Sequence, residues 1–263
     1  MQAPFTKPPR ELRMHLSETV LCGRLLISYI GRRLVVMPLN LEQTDYAFCS
    51  SWRTLQFPFS NYYTEALAVC DYRSVFAATE NLTAEIDLES TLPLWTCPVG
   101  GNRLSPDAHV VAAASARGGP IHLIDRRTRA VCGTCSTPCP PGRLQLQSNW
   151  LLAESASENT FCMFDTRQMG FPLIDFIASD AIFNNDVGLL ASSLVHQPIA
   201  LGDWRQPVAK TESYKLPGPT VPLRQSHGFG TRFVPAMDAN RLVVQSWDGL
   251  KQGWRIHIHN FSF

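Results

Sequence analysis

Residues 104–128 read LSPDAHVVAAASARGGPIHLIDRRT. A polar turn at Asp107 leads into an apolar run and a tract of small residues. A Gly-Pro turn follows, then a second apolar run ending in Asp125, with Arg127 two positions on. Asp, Gly and Pro close tight turns because their side chains bond the local backbone or because the residue presets its backbone angles. The runs between such turns are too short for independent helices and suit strands. The stretch therefore reads turn, strand, turn, strand.

The same reading returns along the chain. TFCMFDTRQ (160–168) and IALGDWRQ (199–206) also end in Asp, any residue, Arg, so that Asp125, Asp165 and Asp203 lie 40 and 38 residues apart. Upstream, LTAEIDLES places Asp87 38 residues before Asp125, and LVVMPLNLE sets Asn40 in the same position. The polar turn before the second strand falls at Asp71, Asp107, Ser148, Asp186 and Asp238. A weaker fourth strand follows each ending, as in AVCGTCS and PLIDFIA.

Four short antiparallel strands every ~40 residues form the pattern of a propeller blade. The units resemble WD40 repeats, with Ile124-Asp125 in place of Trp-Asp, Phe164-Asp165 nearer to it, and Gly202-Asp203-Trp204 furthest. The resemblance implies an all-β, WD40-like β-propeller. Units fall near 18–57, 60–100, 101–140, 143–179, 180–216 and 229–263, which makes six blades the expectation. Seven is the rival, because 40–62 has room for further strands. Residues 18–263 are expected to form the propeller, with 1–17 an N-terminal segment. Within it ELRMHLS (11–17) is the candidate strand to complete the last blade, a helix after Pro8-Pro9 being the alternative. The Pro- and Gly-rich segment 217–230 reads as an excursion.

Composition narrows the function. Lys+Arg of 23 against Asp+Glu of 22 gives no bulk reason to bind nucleic acid or a membrane surface. No stretch reaches the ~18–20 apolar residues of a spanning helix, and the N-terminus has no apolar run of signal-peptide length. The expectation is a cytoplasmic or nuclear protein whose eight cysteines are reduced. Of the 23 basic residues only four are Lys (Lys7, Lys210, Lys215 and Lys251). Arg suits fixed ion pairs and interfaces.

No P-loop, nucleophile elbow or zinc-protease helix is present, so no enzyme and no cofactor are expected. Cys132, Cys135 and Cys139 have part of a zinc spacing, with His122 the only local fourth ligand, and reduced structural cysteines are the stronger reading. His257 and His259 alternate on one strand and read as an outer polar face.

The Asp-x-Arg endings say most. Asp71, Asp87, Asp107, Asp125, Asp165, Asp186, Asp203 and Asp238 are read as turn and blade residues. Arg127, Arg167 and Arg205, with Phe164 and Trp204, are the candidate partner-binding residues. An exposed Arg–Asp pair adds little net stability, so stability alone explains the recurring Arg poorly. A cationic arc on one rim, pairing with a partner's carboxylates, explains it better. LLAESASENTFCMFDTRQ (151–168) also resembles the motif by which some WD40 proteins dock to the adaptor of cullin–RING ubiquitin ligases. The matching positions are Leu151, Leu152, Ala153, Ser155, Phe164, Asp165 and Arg167, with a departure at Ser157-Glu158. The expected function is thus a non-enzymatic protein-binding scaffold, in its most specific form a ligase substrate receptor. The alternatives are a structural subunit of another assembly, or a propeller enzyme or small-ligand binder using the central channel.

Overall fold

The computed structural model describes residues 19–22, 25–30, 33–38, 53–55, 66–69, 71, 73–115, 117–156, 160–168, 170–178, 180–184, 189–193, 200–203, 214–215, 236–237, 241–248 and 253–260. Every regular element among them is a strand. The chain forms two compact units, Met1–Thr134 and Cys135–Phe263.

In the first unit, sheet one holds β1 (Thr19–Cys22), β2 (Leu25–Ile30), β3 (Arg33–Pro38) and β4 (Arg53–Leu55). Sheet two holds β5 (Ala66–Val69), β6 (Ser74–Thr79), β7 (Leu82–Asp87) and β8 (Pro93–Cys97). Sheet three holds β9 (Arg103–Pro106), β10 (Val110–Ala114), β11 (Ile121–Asp125) and β12 (Ala130–Cys135), whose last residue opens the second unit.

The second unit continues with sheet four, β13 (Pro141–Gln147), β14 (Trp150–Ser155), β15 (Thr160–Asp165) and β16 (Ile174–Ile177). Sheet five is β17 (Asp180–Asn184), β18 (Leu189–Ser193), β19 (Ala200–Asp203) and β20 (Tyr214–Lys215). Sheet six shows three strands among the described residues, β21 (Ala236–Met237), β22 (Arg241–Asp248) and β23 (Gly253–Asn260). Each sheet is an antiparallel meander in sequence order.

The packing explains the sequence pattern. In β6, reading SVFAAT, every residue is buried, so both faces of the strand are covered. Alternate side chains go opposite ways. Val75 and Ala77 join Ile27 and Val36 of sheet one, while Phe76 joins Val111, Ala113 and Ile124 of sheet three. Sheet two is thus sandwiched between its neighbours. In the second unit Leu152, Phe161 and Met163 of sheet four pack on Ala181 and Phe183 of sheet five. Burying each such large side chain contributes roughly 1.5–3 kcal/mol. A sheet buried on both faces loses the polar–apolar alternation that marks a half-exposed strand.

Small residues sit where backbones meet. The link from β8 to β9 passes Gly100 and Gly101, and the Gly101 N–H donates to the Thr79 carbonyl at 2.8 Å. A Cβ at Gly100 would collide with that Thr79 oxygen, and one at Gly101 with the carbonyl of Ala114. Arg53–Leu55, inside the long 40–62 segment, pairs with β3 as the fourth strand of sheet one. Residues 11–17, Asp186, Trp204, Arg205, 217–230 and Asp238 lie outside the described residues.

Candidate interaction site at the Asp-x-Arg turns

A four-stranded meander sends its first and third turns out at one end and its second turn at the other. Asp71 and Asp107 stand in first turns; Asp87, Asp125 and Asp165 open third turns. In sheets two, three and four the first and third turns are bonded together at that end. The N–H of the residue after each third-turn Asp donates across: Leu88 to the Arg73 carbonyl, Arg126 to that of His109, and Thr166 to that of Asn149.

Each Asp organises its own turn. Asp71 Oδ1 accepts from the Arg73 N–H at 2.8 Å and the Ser74 N–H at 2.9 Å. Asp87 Oδ2 accepts from the Ser90 N–H at 2.6 Å, and Asp125 Oδ1 from the Arg127 N–H at 2.7 Å. Asp107 donates its N–H to Val110 O at 2.8 Å and offers its carbonyl to Arg126. Thr91 and Arg129, four positions after Asp87 and Asp125, both take left-handed backbone conformations with φ of 62°. Asp203 ends β19, three strands into sheet five, as its counterparts do in theirs.

Arg127 and Arg167 fold back on these acids. Arg127 Nη2 lies 3.1 Å from Asp125 Oδ2, with the side chain 77% exposed. Arg167 donates through Nε at 2.9 Å and Nη2 at 2.6 Å to the two oxygens of buried Asp165, with the side chain 62% exposed. Its guanidinium carbon also sits 5.9 Å from the Trp150 ring centroid. Both arginines thus brace a turn and remain accessible to solvent. Hydrogen bonds from Arg127 hold the Asp125 carboxyl down at about 2. Arg167 lowers Asp165 in the same way, and Ser90 lowers Asp87. At Asp71 burial is the largest influence and pushes upward, but the Arg73 and Ser74 N–H groups and Arg126 together outweigh it, so the pKa falls.

Phe164 corrects the expectation of a partner-facing aromatic. It is fully buried, because β15 has both faces covered. Leu151, Leu152 and Ala153 are buried too, so among the described residues Arg167 is the exposed member of the ligase-like motif. Cys132 and Cys135 stand three apart on β12 and so point to opposite faces. Cys132 donates to the Leu123 carbonyl, while burial raises the Cys135 thiol to about 11. A strand cannot present that pair to one metal ion. His122 lines a cleft of about 330 Å³ with Glu80, Asn81, Ser115 and Gly118 at the other end of sheets two and three. Burial lowers its pKa.

Sequence reading missed Arg126, the residue between Asp125 and Arg127. From sheet three it reaches buried Glu85 of sheet two, Nη2 to Oε1 at 2.5 Å, with Asp71 Oδ2 at 3.4 Å. It also lies 4.9 Å from the Phe76 ring centroid. Ser74 Oγ and Trp95 Nε1 donate to the same Glu85 carboxylate at 2.8 and 2.5 Å. A buried carboxylate is tolerable only when its oxygens are bonded in this way.

No family model and no curated protein matches the sequence. Solved structures do match. The chain is similar to BamB from Moraxella catarrhalis, with 13% identity and a TM-score of 0.57, over 92% of this chain and 71% of that one. It is similar to the Dos1 propeller at 13% identity and a TM-score of 0.57, over 84% of this chain and 62% of that one. The fold is a β-propeller. At this identity the likeness carries the fold and no further property.

Proposed function

We propose that the chain is a non-enzymatic, WD40-type scaffold that binds proteins in the cytoplasm or nucleus through the Asp-anchored arginines. Its most specific form is a substrate receptor docking to the adaptor of a cullin–RING ubiquitin ligase. One observation supports this: Arg127 and Arg167 are each held by a carboxylate of their own turn and still lie open to solvent. A guanidinium fixed before binding loses less rotamer freedom on meeting a partner carboxylate, and Arg is over-represented among residues that dominate interface energy.

The test is titration of the purified full chain with a ligase adaptor subunit. The parent should bind. Arg167→Ala should weaken binding at least about thirtyfold in a chain that stays folded, though less stable because buried Asp165 loses its fork, and Arg167→Lys should not restore it. A parent that ignores the adaptor removes the ligase form. An adaptor bound equally by the parent, Arg127→Ala and Arg167→Ala removes the arginine reading.

A further inference from the structure

The outer strand of sheet four presents an apolar row that packs on no other strand among the described residues. In FPLIDFI, residues 171–177, the even positions turn inward. Ile174 and Phe176 pack on the core beneath, with Phe176 stacked on Phe161 at 5.4 Å between centroids. The odd positions face out. Phe171 is 83%, Leu173 53% and Ile177 72% exposed, with exposed Asp175 set between the last two.

The outer strands of sheets two and three show less. Beside β8, Leu92 and Leu94 are half exposed or less, and β12 has Val131 alone, less exposed again. Strand β16 is last in its sheet, paired with β15 and, among the described residues, with no strand on its outer side. Proteins commonly blunt such an edge with Lys, Pro or a bulge. Here the one charge in the row is Asp175.

We infer that β16 is a docking edge for an extended segment of a partner protein, bound by strand addition. Main-chain hydrogen bonds to the open edge would give affinity, and alternate side chains would give selectivity. The partner strand places apolar side chains against Phe171, Leu173 and Ile177 and a Lys or Arg against Asp175. The position of Asp175 argues against a second copy of this chain. Antiparallel self-pairing centred on Ile174 sets Asp175 against Leu173, and centring on Asp175 sets two carboxylates face to face, which is destabilising. The row is separate from the arginine forks and can succeed or fail without them.

The test is selection of a displayed library of random dodecapeptides on the full chain. Enriched peptides should alternate apolar residues with one interposed Lys or Arg. They should bind a Phe171→Ser/Ile177→Ser variant at least about tenfold more weakly, with its melting temperature equal to the parent's. Asp175→Lys should move the selection to Asp or Glu at the interposed position. Peptides that bind the double Ser variant equally well would overturn the proposal. So would an absence of enrichment, or parent dimers in sedimentation that the double Ser variant abolishes.

Discussion

Asp125 and Asp165 each do two things at once, closing a backbone turn and fixing an arginine fork. Their place was readable because an Asp two residues before an amide it can bond marks a turn wherever it occurs. Their effect has a sign. The Asp125 carboxyl sits at about 2 in the folded chain against an ordinary 3.8, so the stability it adds is complete above pH ~4 and is lost as pH falls towards ~2. Asp125→Asn should therefore flatten the acid limb. Urea midpoints between pH 5 and 2 should fall less steeply in the variant than in the parent, and equal slopes would contradict the assignment. Phe164 was misread at this scale for a definite reason. Alternation along a strand reports exposure only when one face is wet, and in β15 neither is.

At the scale of strands and turns, the repeat located the sheets because each turn residue acts on its own neighbours. The joint between sheets two and three was not legible, because Arg126 and Glu85 lie 41 residues apart and neither belongs to the repeating pattern. Arg126→Ala would leave Glu85 buried without its cation, and should cost about 3 kcal/mol in chemical denaturation. A loss under about 1 kcal/mol would show that Ser74 and Trp95 suffice. The β8–β9 link makes a second demand. Gly101→Ala drives a methyl into the Ala114 carbonyl and should lower the melting temperature by several degrees, since backbone on both sides cannot yield as a flexible side chain would. An unchanged melting temperature would mean that the link can shift.

For the molecule as a whole, a net charge of +1 gives no long-range field to steer partners. Binding through fixed arginines should then show in dissociation more than in association. Arg127→Ala and Arg167→Ala should raise the off-rate while the on-rate stays within a few-fold of the parent at any salt concentration. The composition and the ~40-residue period carried the fold class. The choice of partner leaves no such trace, because a binding surface needs only a few exposed side chains and none need repeat. The most direct measurement is quantitative affinity purification of the full chain beside Arg127→Ala, Arg167→Ala, the double variant and Arg167→Lys, each with its melting temperature. The account predicts a discrete set of proteins captured by the parent and lost from the double variant and from Arg167→Lys, with all chains folded at the assay temperature. The same set captured by the double variant would contradict it.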